Sequence, residues 1–281
     1  MPNSLPLVSV VITTKNEETN IANCIKSVKK QSFPPKKIEI IVVDNNSSDK
    51  TKRISKKYTK NVFNKGPERS AQRNYGIVKA KGKYILFLDA DMSLSEKVIQ
   101  ECVDKFIKRN DNLVGLYIPE RILGDSYWCK VRDFERSFYN GTVIDCVRFF
   151  PKIIWKQVKG FDESLTGPED WDFDKKVRML GKTGIIRSPL YHNESDFNLK
   201  EYLKNKSYYA KSFDKYINKW GKDDPDIKKQ RGFWYRYIGV FTENGKWLKL
   251  VKKPSFAFSM YILKILVGYI FLSNKIISKS E

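Results

Sequence analysis

The chain has few cysteines and a single histidine among its 281 residues. The four cysteines, Cys24, Cys102, Cys129 and Cys146, are scattered, and no two of them form a Cys-x-x-Cys pair. This spacing gives no basis for a disulfide framework or a zinc-ligand cluster. Reduced thiols in a cytosolic compartment are the simplest interpretation.

From the pattern of the first residues we expect no signal peptide, and no sequence repeat stands out. The apolar run from Leu7 to Ile12 is too short for a signal core, and Met1 to Pro6 carries no basic residue. We therefore expect this run to be a buried strand, and translocation is not indicated. Apolar residues make up 41% of the chain and charged residues 30%, a balance typical of a globular protein.

The chain has fewer acidic than basic residues. It contains 53 Lys and Arg and 32 Asp and Glu, which gives a formal net charge of +21. Such a charge suggests nucleic acid as a partner. Its distribution argues against that, because 18 Lys/Arg and 7 Asp/Glu fall in residues 200–281, beside the apolar stretch Phe256 to Leu272. Basic residues flanking an apolar helix favour a membrane surface with anionic head groups. A solvated, lysine-rich surface is the alternative.

The apolar stretch near the carboxyl terminus is short for a membrane span. Phe256 to Leu272 is 17 residues interrupted by Lys264, whereas a spanning helix needs about 20 apolar residues. An amphipathic helix lying in the membrane plane is the preferred interpretation, with interfacial aromatic and basic residues supplied by Arg231 to Leu250. A helix packed on the catalytic domain or on a second subunit is the alternative.

Strand and helix signals alternate over roughly the first 190 residues, which predicts an α/β fold with a mostly parallel sheet flanked by helices. Predicted buried strands are Val8 to Ile12, Ile38 to Val43, Tyr84 to Leu88 and Leu113 to Ile118. From Pro119 to Phe150 the pattern loosens. Beyond His192 the chain becomes helical, basic and finally apolar. We therefore predict a catalytic domain over residues 1–198 and a helical, amphipathic extension over residues 199–281.

Carboxylates follow two of the predicted strands, where ligands bind in open α/β sheets. Asp44 follows the second strand, and it either accepts hydrogen bonds from a nucleoside or, with Asn45, merely caps the turn. Asp89 and Asp91 follow the apolar strand YILFL. Two carboxylates at this spacing can converge on Mg²⁺ or Mn²⁺, which completes its shell with diphosphate oxygens and water.

Three further groups of residues carry possible chemistry. Glu169 and Asp170 begin an amphipathic helix, where they either complement the helix dipole or supply a general base. His192 is structural or a third ligand for Mn²⁺. Arg69 and Arg73 share one helix face, and they either reach phosphates or are surface charges.

The ordered set of motifs is more specific than any one of them. VSVVITTKNEETNI, VDNNSSDKT, GPERSAQRNYGIVKAKGKYILFLDADM, GFDES and GPEDWDF follow one another between residues 7 and 195. In order, spacing and placement at strand ends they resemble the family 2 glycosyltransferases. The resemblance implies a GT-A fold and an inverting, metal-dependent hexosyltransferase-type enzyme. Its donor would be a nucleoside-diphosphate sugar, UDP- or GDP-linked, and its acceptor a glycan or lipid-linked, cell-envelope molecule.

The resemblance also implies a role for each matching residue. Asp170 is the implied catalytic base, and the implied metal ligands are Asp89, Asp91 and His192. Implied donor-binding residues are Thr13, Glu17, Asp44, Asn45, Arg69, Arg73, Asp89 and Glu169. The chain departs from many members at Thr13-Thr14-Lys15, where a Pro-Thr-Tyr or Pro-Ala-Tyr triplet is common, and at Asn45, where a second Asp is common.

The implied mechanism is a single displacement. A divalent cation, Mn²⁺ or Mg²⁺, would neutralise the charge that develops on the departing diphosphate. Asp170 would take the proton of an acceptor hydroxyl as it attacks the anomeric carbon from the opposite face. An acceptor that is a lipid phosphate is already ionised and needs no base.

Rival functions fit the sequence less well. A nucleotidylyltransferase usually has a glycine-rich loop with an arginine after the first strand, where this chain has Thr-Thr-Lys-Asn-Glu. A dinucleotide-dependent oxidoreductase needs Gly-x-Gly-x-x-Gly there. A basic nucleic-acid-binding protein and a non-catalytic nucleotide-sugar-binding protein remain alternatives.

We expect a cytoplasmic protein, peripheral at the cytoplasmic face of the membrane, without nucleic acid. The donor sugar, its base, the acceptor and the oligomeric state are left open.

Overall fold

The computed structural model describes residues 6–108, 112–210 and 212–277. Its strands are β1 Val8–Thr14, β2 Ile38–Asp44, β3 Val62–Asn64, β4 Tyr84–Asp89, β5 Met92–Leu94, β6 Leu113–Tyr117, β7 Glu120–Leu123, β8 Phe149–Pro151, β9 Lys182–Ile185 and β10 Leu190–Asn193. Its α-helices are α1 Ile21–Lys29, α2 Thr51–Ser55, α3 Arg69–Lys79, α4 Val98–Lys108, α5 Tyr127–Arg136, α6 Lys152–Gln157, α7 Glu169–Arg178, α8 Leu199–Ala210, α9 Phe213–Trp220, α10 Pro225–Arg231, α11 Val240–Thr242, α12 Trp247–Lys252 and α13 Pro254–Ile277. Short 3₁₀ turns lie at Pro35–Lys37 and Glu243–Gly245, and a π-helical turn at Tyr235–Gly239.

The larger sheet has the strand order β3-β2-β1-β4-β8-β6-β9 among the described residues. Strand β1 runs parallel to both β2 and β4, β2 runs parallel to β3, and β6 runs parallel to β9. Strand β8 is antiparallel to its neighbours β4 and β6. A smaller sheet has the order β5-β10-β7. The predicted α/β architecture, a mixed and mostly parallel sheet flanked by helices, is confirmed.

The central strands are buried on both faces, which is why they read as continuous apolar runs. Successive side chains of a strand point to opposite faces. Val10 and Ile12 accordingly join one core with α1 and α4, whereas Val11 joins a second core with α3 and α7. The apolar face of α1, which includes Ile21 and Ile25, is fully buried in the first core.

The chain forms two compact units. Unit 1 comprises residues 1–121, 145–163 and 169–193, so it contains the larger sheet. Unit 2 comprises residues 122–144, 164–168 and 194–281, so it contains α5 and helices α8 to α13. The two inserted segments of unit 2 lie within the stretch that the sequence predicted as one catalytic domain. Composition does not reveal them because each is short and mixed in character.

Asp174 is a buried carboxylate in the second core of unit 1. It accepts hydrogen bonds from the Val147 amide at 3.1 Å and from Arg178 Nε at 2.7 Å. Burial disfavours the charged form more than Arg178 favours it, so the pKa of Asp174 is raised to about 6. The ordinary pKa of an aspartate is 3.8, and the folded state therefore holds this proton at a pH where the unfolded chain has lost it.

This raised pKa predicts a pH-dependent stability difference. As pH rises from about 4 to about 7, ionisation of Asp174 should remove about 3 kcal/mol from the free energy of unfolding. Asp174→Asn lacks this titration, so its stability relative to wild type should improve over that range. Urea denaturation at several pH values measures the difference. Asp223→Asn, at a side chain 76% exposed, is the control. A difference that does not change with pH would contradict the assignment.

Candidate active site

The polar residues predicted at the strand ends lie at one edge of the larger sheet. Thr14 of β1 pairs with Asp44 of β2, and Thr13 of β1 pairs with Asp89 of β4. Because the three strands are parallel, their carboxyl ends meet there. This is the edge where ligands bind in open α/β sheets.

Arg73 of α3 is the centre of the polar cluster at this edge. Its side chain is 0% exposed, its Nη1 forms an ion pair with Asp170, and its Nη2 lies 3.1 Å from Asp89 Oδ1. The guanidinium also stacks over the rings of Phe87 at 4.6 Å and Phe161 at 5.3 Å. Arg73 therefore joins the end of β4 to the start of α7.

Arg69, one helical turn earlier, forms the second arginine contact with α7. Its Nη2 lies 3.0 Å from Glu169 Oε1, and the arginine side chain remains 33% exposed. Glu169 itself is buried, and this burial raises its pKa although Arg69 opposes the shift. The two arginines predicted on one helix face thus meet the two acidic residues at the start of α7.

Asp89 is ionised in this environment. Its burial opposes ionisation, but the positive charges of Arg73, Arg69 and Arg148 outweigh that effect and lower the pKa of the carboxyl well below its usual range. Thr13 Oγ1 also donates a hydrogen bond to Asp89 Oδ1 at 2.7 Å. Asp89 thus serves as a fixed negative charge at the sheet edge.

Asp91 contacts the single histidine of the chain. His192 Nε2 lies 3.1 Å from Asp91 Oδ2, and His192 Nδ1 lies 3.2 Å from Glu120 Oε1. Arg148 Nη2 in turn donates to Glu120 Oε2 at 3.3 Å. Burial lowers the pKa of His192, but the two carboxylates raise it by more, so its pKa lies well above the ordinary value. This arrangement favours the protonated form of the imidazole.

Polar side chains that follow β1 and β2 form hydrogen bonds within these loops and with the neighbouring loop before α3. Asp44 accepts hydrogen bonds from the Ser47 amide at 2.9 Å and from Ser47 Oγ at 2.5 Å. Asn45 Nδ2 donates to the Pro67 carbonyl oxygen. Burial raises the pKa of Glu17, although a hydrogen bond from a neighbouring side chain opposes the shift. Asp44 thus shapes its own turn.

The family comparison agrees with this geometry. The model of the family described as Glycosyl transferase family 2 matches residues 9–153, just over half of the chain. The chain belongs to glycosyl transferase family 2. The matched stretch runs from β1 into the start of α6, and it includes Arg69, Arg73, Asp89 and Asp91.

Curated relatives of this family 2 chain match it over part of their length. Glycosyltransferase AglE of Haloferax volcanii is 34% identical over 122 residues, which are 41% of this chain and 40% of that protein. Poly(ribitol-phosphate) beta-N-acetylglucosaminyltransferase TarS of Staphylococcus aureus is 31% identical over 212 residues, which are 72% of this chain and 35% of that protein. The chain thus spans well under half the length of these two relatives.

Solved structures share the fold of this family 2 chain. Mannosyltransferase PcManGT from Pyrobaculum calidifontis, in complex with GDP-Man and Mn²⁺, has a TM-score of 0.63 at 17% identity, over 96% of this chain and 88% of that one. Staphylococcus aureus TarS 1–349, in complex with UDP-GlcNAc, has a TM-score of 0.56 at 19% identity, over 90% of this chain and 79% of that one. At these identities the likeness shows the fold, which is GT-A.

The surroundings of Asp91 fit a divalent cation, which the family implies. Asp91 Oδ1 is buried and has no hydrogen-bond partner among the described residues, while Oδ2 faces His192. Carboxylate oxygen and imidazole nitrogen are ligands that Mn²⁺ accepts. Asp89, the third predicted ligand, is held by Thr13 and Arg73. In the described part of the chain no group of three or more His, Cys, Asp or Glu side chains is arranged to hold a metal.

Sequence reasoning missed three residues that organise this site. Glu120 and Arg148 orient His192 from the side away from Asp91, and both lie in or beside the stretch where the sequence pattern loosens. Gln72 Nε2 donates to the carbonyl oxygens of Thr14 and Val43, at 2.9 Å and 2.7 Å, and so ties together the ends of β1 and β2. Gln72 directly precedes the predicted site residue Arg73, and this position is the signal by which the sequence could have revealed it.

Proposed function

We propose that the chain is an inverting glycosyltransferase that moves a sugar from a nucleoside-diphosphate sugar, UDP- or GDP-linked, to an acceptor. The observation that carries this proposal is the convergence of Asp89, Arg73 and Asp170 at the carboxyl edge of the sheet, with Asp91 two residues beyond β4. Membership of glycosyl transferase family 2 supports it.

The donor would lie along this edge. Thr13, Glu17, Asp44 and Asn45 follow β1 and β2, and they would hold the nucleoside. Arg69, Arg73, Asp89 and Glu169 would contact the donor from α3, β4 and α7. Arg73 is held by carboxylates on two sides and by aromatic rings, so it would enter catalysis with little reorganisation.

Asp91 and His192, with Asp89 nearby, would hold a divalent cation, Mn²⁺ or Mg²⁺. When bound, the cation supplies positive charge that stabilises the departing diphosphate. Glu120 orients His192 through Nδ1, an arrangement that fixes the direction of a ligating imidazole. A proton held by His192 between Asp91 and Glu120 would have to leave before the imidazole could act as a ligand.

Asp170 would accept the proton of the attacking acceptor hydroxyl. The contact with Arg73 orients the Asp170 carboxylate, and the Asp170 side chain is 25% exposed. Attack from the face opposite the diphosphate inverts the anomeric centre. The proposed acceptor is a glycan or a lipid-linked, cell-envelope molecule at the cytoplasmic face of the membrane.

A thermal-shift panel tests the proposal. UDP, GDP, CDP and dTDP would each be added with and without Mn²⁺ or Mg²⁺. One nucleotide at about 100 times its Kd should stabilise the fold by about 2.7 kcal/mol, provided that metal is present. Asp91→Asn should remove the metal-dependent part of the shift, and Asp196→Asn, at an exposed carboxylate, should not.

Two results would contradict the proposal. The first is salt-sensitive DNA binding without any nucleotide-dependent shift, which would favour a nucleic-acid-binding protein. The second is a metal-dependent shift without transfer or hydrolysis of any sugar nucleotide, which would favour a non-catalytic binding protein.

A further inference from the structure

Helix α13 of unit 2 presents an apolar stripe to solvent. The exposed fractions are 69% for Phe258, 39% for Ile262, 62% for Ile265, 37% for Leu266 and 70% for Tyr269. These positions are spaced by three or four residues, with one adjacent pair, so they share one side of the helix. An amphipathic helix of a soluble domain normally buries this side.

The opposite side of α13 carries a lysine into the interior of unit 2. Lys264 is 7% exposed, and its Nζ lies 3.3 Å from Tyr139 Oη and 3.8 Å from Glu135 Oε1. Burial of Glu135 opposes its ionisation, but Arg132 and Lys264 outweigh this effect and lower the pKa of Glu135 to about 2. A rotation that hid the apolar stripe would leave this buried carboxylate without Lys264, which is costly.

Two neighbouring segments of unit 2 add exposed aromatic and aliphatic side chains. Trp234 is 74% exposed in residues 233–238, and Trp247 is 50% and Val251 67% exposed in residues 247–251. The first segment is fixed to α13, because Tyr237 Oη donates to the Lys264 carbonyl oxygen at 2.9 Å. We call the exposed apolar side chains of residues 233–238, 247–251 and 258–269 the unit 2 apolar surface.

The charge around the unit 2 apolar surface is positive. From Lys228 to Lys253 there are eight Lys and Arg residues and one acidic residue, Glu243. Lys252 and Lys253 are exposed between Val251 and the start of α13. Tryptophan and tyrosine are enriched where a bilayer meets water, and lysine beside them attracts anionic head groups. The chemistry of this surface complements an anionic lipid bilayer.

We propose that the unit 2 apolar surface is a membrane-docking face, on which α13 lies in the interface of a bilayer that contains anionic lipid. Across the described residues, no helix is both long enough and apolar enough to cross a membrane. Helix α13 turns Lys264 toward the interior of unit 2 and its apolar stripe toward solvent. This orientation determines which side chains would enter the bilayer. The proposal does not depend on the donor site, since all of its residues belong to unit 2.

Vesicle co-sedimentation with the full chain tests the docking face. The protein should sediment with phosphatidylcholine vesicles that contain phosphatidylglycerol, and less with phosphatidylcholine alone. Phe258→Glu/Ile265→Glu should weaken this binding at least about tenfold, because two apolar anchors are lost and two negative charges gained. Lys252→Glu/Lys253→Glu should weaken it too, and should reduce its sensitivity to salt.

Controls separate docking from folding and from the donor site. Val78→Glu replaces an apolar side chain of unit 1 that is 60% exposed, so it should leave vesicle binding unchanged. The Phe258→Glu/Ile265→Glu variant should keep the melting temperature and any nucleotide-dependent shift of wild type. Equal binding by this variant and Val78→Glu, or no binding by wild type, would overturn the proposal. A wild-type dimer that this variant converts to a monomer in light scattering would overturn it as well, because a second copy would then cover the face.

Discussion

Asp170→Asn is expected to lower the rate of sugar transfer by about 10²- to 10⁴-fold. The asparagine cannot accept the proton of an acceptor hydroxyl, although its amide oxygen can still accept a hydrogen bond from Arg73. Arg73 also keeps its contact with Asp89 at 3.1 Å, so the fold and the donor-binding edge should persist. The measurement is release of nucleoside diphosphate from the donor that the thermal-shift panel identifies.

The control for this variant is its own donor binding. The nucleotide-dependent shift in melting temperature should equal that of wild type, which separates loss of the base from loss of the site. A transfer rate that remains near the wild-type value would show that Asp170 is not the base. That result would point to an acceptor that is already ionised, such as a lipid phosphate.

Arg73→Met is expected to destabilise the protein by about 3–5 kcal/mol, which is the usual cost of removing one partner from a buried ion pair. The variant leaves Asp89 and Asp170 without the guanidinium that joins them. It also removes the positive charge of Arg73 near Glu169. Arg73→Lys should rescue little, because one ammonium group cannot span the two carboxylates as a planar guanidinium does. Urea denaturation gives the free energy of unfolding.

Arg69→Met is the matched comparison, since Arg69 lies one turn away on the same helix and is 33% exposed. We expect it to cost about 1 kcal/mol, because solvent screens part of its contact with Glu169. The deficit of Arg73→Met should also shrink as pH falls, because protonation of Asp89 removes the negative charge that Arg73 compensates. Equal, pH-independent losses in the two arginine variants would show that Arg73 is not the centre of this cluster.

The sequence predicted the sheet well where strands are buried on both faces. Continuous apolar runs such as Val8 to Ile12 and Tyr84 to Leu88 have few alternatives to a central strand. The same reasoning placed Asp44 and Asp89 at strand ends, and the register of β1 with β2 and β4 brings these ends to one edge. The roles of the individual site residues stay predictions.

The sequence pattern failed in the stretch from Pro119 to Phe150. The short strands β7 and β8 give too few residues for a periodicity to be recognised, and β8 enters the sheet antiparallel between β4 and β6. Glu120 was missed for the same reason. Its contact with His192 joins positions 72 residues apart in sequence, and local patterns carry no information about such a pairing.

By itself, the sequence determined the family, the alternation of strands and helices, and the positions of carboxylates at strand ends. These features depend on local periodicity and on motif order, which the linear chain contains. Only the tertiary structure decided that Arg73 is fully buried between Asp89 and Asp170, and that α13 turns Lys264 inward and Phe258 outward. In both cases a buried cationic side chain pairs with a carboxylate from another part of the chain. Tertiary packing determines which carboxylate lies within reach.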